Sequence, residues 1–198
     1  MTPERVLAIL VFSVAAAGTP GPSNALLTAT GAHVGVVRGL PALAGVAASM
    51  GLMMFVVAFG LGTAILENIA LLTAVKWIGA GVLCWFAWKI ATSRAAAVAH
   101  AARPVGFFGA AGFQWINPKS WLISTSAAAT FLTESGGPSH WQAAMLALLF
   151  TLVALPSCLP WLAFGAVLQR LLRSERALRT FNIAMGVLLA ASVVVLVS

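Results

Sequence analysis

Residues 114–120 read Gln-Trp-Ile-Asn-Pro-Lys-Ser and interrupt an apolar run that extends from 105 to 132. Asn117 is a good helix N-cap, because its side-chain oxygen can accept from a backbone amide of the next turn. Pro118 suits the first helical position, where its missing N–H would have no partner and its φ is already helical. The run therefore reads as two half-helices divided at Asn117. Lys119 falls in the first turn of the second half, about fourteen residues, or roughly 20 Å, from either end of the run. Snorkelling from that depth is difficult, and a helix N-terminus disfavours a cation. A buried ammonium costs roughly 2.5–3.5 kcal/mol on insertion scales. The chain has no Asp, and no Glu lies well inside an apolar segment. A bound anion would relieve all these penalties, so Lys119 is expected to bind an anion or carry a proton.

An earlier stretch repeats the pattern. Residues 19–24 read Thr-Pro-Gly-Pro-Ser-Asn, where two prolines and a glycine remove donors and loosen a helix in mid-run. Thr19 or Gly21 can cap a new half-helix that starts at Pro20 or Pro22. At membrane depth a broken helix is tolerated only where protein or a wet cavity satisfies the freed backbone. Two breaks at matching places are therefore expected to line a site, whereas either alone reads equally well as a kink.

The setting of both breaks is a bilayer. The 198 residues are 61% apolar and 8% charged, with a mean hydropathy of +1.02, against about 25% charged in a soluble domain. Charge-free gaps of 32, 28 and 35 residues follow Arg5, Arg38 and Glu134, each longer than the ~20 residues of a membrane-crossing helix. The net charge of +7 thus marks cytoplasmic loops, and no nucleic-acid partner is expected. Six apolar segments, at 6–32, 40–66, 69–91, 105–132, 141–168 and 180–197, leave no room for a soluble domain. The first run, which continues into a second apolar helix without a small-residue processing site, is not expected to be a signal peptide. Lys76 with Trp77 and Trp88 with Lys89 anchor the ends of the third segment. Pro156 and Pro160 are expected to kink the fifth.

Eight of the eleven basic residues fall in the connections after segments one, three and five, namely Arg38, Lys89, Arg94, Arg103, Arg170, Arg173, Arg176 and Arg179. The positive-inside rule then places both termini outside. The halves also echo each other. Ile78–Leu83 resembles Ile183–Leu188, Ala58-Phe59-Gly60 recurs as Ala163-Phe164-Gly165, and Pro20 answers Pro118. These matches point to a single transmembrane transporter domain, 1–198, made of two three-helix repeats, about 1–93 and 105–198. Three being odd, the second copy enters the membrane inverted. The expected fold is all-α and integral to the membrane, with six transmembrane helices and helices one and four broken. Stripes of small residues such as Gly45 and Gly51 permit close helix approach, and with it a homodimer.

Enzyme chemistry has little to stand on. Without Asp, paired-carboxylate hydrolysis and carboxylate metal sites are excluded. His33, His100 and His140 sit in or beside connections and form no cluster, and no nucleophile elbow or P-loop occurs. Cys84 and Cys158 lack metal-ligand or CxxC spacing and read as small buried hydrophobes. No catalytic residue, metal or cofactor is expected.

Pro20-Gly21-Pro22-Ser23-Asn24 and Asn117-Pro118-Lys119 together resemble the paired motifs of the LysE/RhtB family of amino-acid exporters. The similarity runs over nearly the whole chain. Ala87–Ser93 and Leu168–Arg173 look like the branch that exports cysteine and O-acetylserine. Ser23 stands where relatives often carry Asn or Asp. The resemblance implies a six-span carrier of the cytoplasmic (inner) membrane, working by proton antiport. Joined to the reading of the breaks, it places the substrate carboxylate among half-helix N-termini at Pro20, Gly21, Pro22, Ser23, Asn24 and Asn117, Pro118, Lys119. The substrate ammonium then meets carbonyls near Ala17–Gly18 and Trp115–Ile116, with Gln114 or Asn24 assisting. Lys119 is the coupling candidate, since no intramembrane carboxylate is available. A different class remains open, a membrane thiol–disulfide electron carrier of similar build, which would need its two cysteines beside the breaks.

Overall fold

The computed structural model describes residues 2–61, 69–92, 105–132 and 140–171, together with residues 176–177, 179–181, 183–184, 186–187 and 190–191. Every element among them is helical, with no strand. Helix α1, Pro3–Gly18, begins where Thr2 accepts from the Arg5 amide and proline takes the first turn. Glu4, in that turn, is held below the usual carboxylate range by a backbone hydrogen bond and by the Thr2 hydroxyl. Helix α2, Pro22–Val56, runs into a π-helical turn, Val57–Leu61. Then come α3, Ile69–Thr92, α4, Phe107–Ile116, α5, Pro118–Phe131, and α6, His140–Leu171. The helical residues described from 180 to 191 belong to the sixth expected segment, residues 176–177 and 179 are helical where a connection was expected, and Gly186 packs against the Ala87–Ala91 turn of α3.

Both expected breaks are present. The connection expected between segments one and two contracts to a single residue, Gly35 (φ 77°, ψ 176°), the one non-helical position inside α2. Such a conformation is open to glycine and strained for other residues. Gly31 and Gly39, on either side of it, both abut Leu162 of α6, so the chain folds back over that residue. Pro156 and Pro160, where a kink was expected, lie inside the single helix α6.

Helices α2 and α6 form the centre, and glycine lets them touch. A Cβ on Gly31 would collide with the Leu162 carbonyl, and one on Gly165 with the Thr28 carbonyl. This is the close approach that small residues allow. Two apolar clusters flank the centre. One contains Leu27, Val46, Phe113, Cys158 and Leu162. The other contains Ile9, Met50, Met54, Phe131, Phe150 and Ala154.

The polarity is inverted relative to a water-soluble fold. Asn24, Thr28, Ser49, Gln114, Asn117 and Ser120 are buried, while Leu7, Val11 and Val14 on α1 and Leu148, Leu152 and Val167 on α6 face outward. Contiguous apolar surface of this kind fits lipid. By length and composition, Pro22–Phe59 and His140–Leu168 are each able to cross a bilayer. Glu67, Arg94, His100, Arg103, Glu134, Arg173 and residues 192–197 lie outside the described residues.

Candidate functional site

The two breaks meet. At the first, α1 ends at Gly18 and α2 begins at Pro22, with Gly21 as its N-cap residue. Thr19 closes α1 instead of opening α2, its amide donating to the Ala15 carbonyl at 3.0 Å and its hydroxyl to the same oxygen. Pro22, and not Pro20, is thus the counterpart of Pro118 as a first helical residue. At the second break, Asn117 caps α5 by accepting from the Lys119 amide at 3.1 Å. Its own amide donates to the Gln114 carbonyl at 3.2 Å. Trp121 donates from Nε1 to the Trp115 carbonyl at 2.8 Å across the same break.

Side chains join one break to the other. Ser23 Oγ donates to Gln114 Oε1 and accepts from Asn117 Nδ2 at 2.8 Å. Lys119 Nζ reaches back across the interface to the Thr19 carbonyl at 2.7 Å and the Pro20 carbonyl at 3.3 Å. The expected unpaired ammonium has therefore found the negative end of a helix one hundred residues away in sequence. That location, at the C-terminus of α1, offsets its unfavourable place at the N-terminus of α5.

The remaining carbonyls at the end of α1 are also engaged. Asn24 Nδ2 donates to Ala17 and Thr19, each at 2.9 Å. Trp161 Nε1 donates to Gly18 at 3.1 Å, and the Cys158 thiol to Ala17 at 3.5 Å. The other end of the gap differs, for α2 has no side-chain cap. Break one thus places a carbonyl-rich helix end beside an amide-rich one, three residues apart.

Between the two apolar clusters lies a cavity of about 30 Å³, room for one or two waters. Of the nine residues expected in the site, Gly21, Ser23, Asn24, Gln114, Asn117 and Lys119 line it. Pro20, Pro22 and Pro118 do not; they shape the breaks. Ser120 and Cys158 also line it, and the sequence reading had missed both as site residues. Cys158 and Trp161, three apart on α6 beside two prolines, were the available signal, since that spacing puts both on one helix face. No carboxylate is among the lining residues. Among the described residues no group of His, Cys, Asp and Glu side chains comes together that could hold a metal ion. Cys84 and Cys158 are both free thiols, Cys84 exposed on α3 and Cys158 buried.

Residues 14–198 match the family model described as LysE type translocator. A cysteine/O-acetylserine efflux protein of Klebsiella pneumoniae subsp. pneumoniae is 34% identical over 172 residues, covering 86% of this chain and 87% of the relative. The Salmonella choleraesuis protein of that name is 33% identical over 193 residues, 96% of this chain and 95% of its own. The Escherichia coli protein of that name is 28% identical over 190 residues, again 96% and 95%. No solved structure matches. Motifs, helix breaks and similarity along the whole chain lead to one assignment: the protein belongs to the LysE-type translocator family.

Proposed function

We propose that the chain is a secondary active exporter of amino acids or close derivatives, cysteine and O-acetylserine foremost, across the cytoplasmic membrane. The names of its relatives, cysteine/O-acetylserine efflux proteins, support the substrate class. The observation that carries the mechanism is the meeting of both helix breaks at one cavity, tied together by Ser23, Gln114, Asn117 and Lys119. The exporter is a multi-pass domain of six spans, arranged as two inverted three-helix repeats with both termini outside. One repeat rocks against the other around the cavity to give alternating access.

The uncapped amides at the start of α2 offer the substrate carboxylate a place at the positive end of a helix. The capped start of α5 offers less, because Asn117 already accepts from the Lys119 amide. The cavity of about 30 Å³ is partly open to the surface, and it widens around the substrate in the course of the transport cycle. Export is driven by proton antiport, and Lys119 is the residue through which coupling runs.

Inside-out membrane vesicles test this reading. With the chain expressed, labelled cysteine and O-acetylserine should accumulate when an inward-acid pH gradient is imposed, and accumulation should collapse when the gradient is dissipated. Uptake equal to that of vesicles lacking the chain would refute the reading.

A further inference from the structure

We infer that Lys119 is a built-in surrogate for the substrate's α-ammonium. It holds the Thr19 and Pro20 carbonyls at 2.7 and 3.3 Å until an amino acid's own ammonium takes them over, and the displaced Lys119 then meets the substrate carboxylate. The inference rests on the amino-acid reading above and deepens it, because it makes binding an exchange of cations.

Four observations converge on it. The carbonyls of Ala17 and Gly18 receive uncharged donors, Asn24, Cys158 and Trp161, which hold α1 to α2 and α6. The Thr19–Pro20 pair alone among these receives a charge, carried on a flexible four-carbon stem that can leave without dismantling the helix contacts. Gly21 has no Cβ where one would stand 2.8 Å from Lys119 Cδ and 3.1 Å from Nζ. A side chain at position 21 would therefore crowd the lysine stem where it crosses the break. Lys119 lines the cavity, so its displacement also enlarges the space available. With no carboxylate among the lining residues, the displaced ammonium has the substrate carboxylate as its counter-ion.

The geometry also sets a requirement on the ligand. A carboxylate alone must pull Lys119 off its carbonyls, leaving Pro20 without that donor and Thr19 with Asn24 alone. An ammonium alone must evict Lys119 and leave it without an anion. Only a ligand bearing both groups, as an α-amino acid does on its Cα, completes the exchange.

The test uses the purified full chain in detergent under reducing conditions and three ligands with one side chain: cysteine, cysteamine, which lacks the carboxylate, and 3-mercaptopropionate, which lacks the ammonium. Binding is read by displacement of labelled cysteine, or directly by calorimetry. Wild-type protein should prefer cysteine to both. In Lys119→Met the competitor for the carbonyls is gone, so cysteamine should bind about 10–100-fold more tightly than it does to wild type, the equivalent of one charge-assisted hydrogen bond. Binding of 3-mercaptopropionate should be lost. Gly21→Ala, which keeps the lysine but crowds its stem, should also strengthen cysteamine binding. Cysteamine affinity that is unchanged or weaker in both variants would overturn the exchange and leave Lys119 a plain carboxylate clamp. That failure is distinct from failure of the transport reading, in which wild-type protein would neither bind nor carry cysteine.

Discussion

The crossing of α2 and α6 at Gly31 and Gly165 should behave as one mechanical unit. A methyl on Gly31 would overlap the Leu162 carbonyl oxygen and stand 2.9 Å from its carbon and 3.1 Å from the Ala166 nitrogen. One on Gly165 would overlap the Thr28 oxygen and stand 2.8 Å from its carbon. Ordinary contact begins at 3.4 Å, so the helices must part by at least half an ångström even at the carbons, and further at the oxygens. The obstacles are backbone, which cannot swing aside. A gap of about 0.5 Å already forfeits about a quarter of the dispersion attraction along the seam. Overpacking typically costs ~1–3 kcal/mol, and Gly31→Ala or Gly165→Ala should each fall near the top, about 3 kcal/mol. The double variant should cost only about 4 kcal/mol, because separation forced by the first methyl makes room for the second; the shortfall of about 2 kcal/mol lies within measured couplings between contacting sites. Denaturant unfolding of the purified chain in micelles, run as a double-mutant cycle, measures it. Full additivity, or single variants as stable as wild type, would refute the shared crossing.

Three further outcomes follow from single residues. Gly35→Ala forces an L side chain into φ 77°, ψ 176° and should lower stability by ~1–3 kcal/mol, read as a lower unfolding midpoint with an unchanged helical circular dichroism spectrum. Asn117→Ser keeps an N-cap but loses the bond to Ser23, whereas Asn117→Ala loses both; the serine variant should cost about 1 kcal/mol and the alanine about 2, and equal losses would show that the cap contributes nothing. Ser124 Oγ is buried without a hydrogen-bond partner, so Ser124→Ala should leave stability unchanged or raise it by about 1 kcal/mol, and a clear loss in thermal unfolding would contradict that.

How much of this was legible before the fold depended on whether the cause was local. The break at Asn117–Pro118 was readable because N-cap and first-turn preferences act within one turn. The break at 19–22 was readable as a break but not in its register. Two prolines flank Gly21, and the choice of Pro22 depends on donors from α5 and α6 that hold the carbonyls of residues 17–20. Lys119 was readable as a costly buried charge, yet its partner lies one hundred residues away and has no sequence signature. Cys158 was read as a small hydrophobe because its only local mark, a place three residues before Trp161 and between two prolines, does not say what that helix face meets. It reaches the cavity through the register of α6 on α2, which the glycine contacts at 31 and 165 fix. The expected repeat set Pro20 against Pro118, whereas the residue that opens a helix as Pro118 does is Pro22.

Hydrogen-bond accounting at the two breaks gives them different tasks. An interrupted helix frees carbonyls on one side and amides on the other, and in an apolar surrounding each must be satisfied or kept near something that can satisfy it. At break two both sides are closed within the protein, the amide side by Asn117 and the carbonyl side by Trp121 and the Asn117 amide. At break one the carbonyl side is closed by three other helical segments, while the start of α2 has no side-chain cap. Break two is thus a finished structural joint that presents Lys119, and break one is the unfinished partner that receives it. A ligand carboxylate would complete the open amide side of break one, while a ligand ammonium could engage the closed carbonyl side only by taking the place of Lys119. The asymmetry between two breaks of similar sequence by itself calls for an anion, and the exchange proposed for Lys119 is what extends the requirement to a zwitterion.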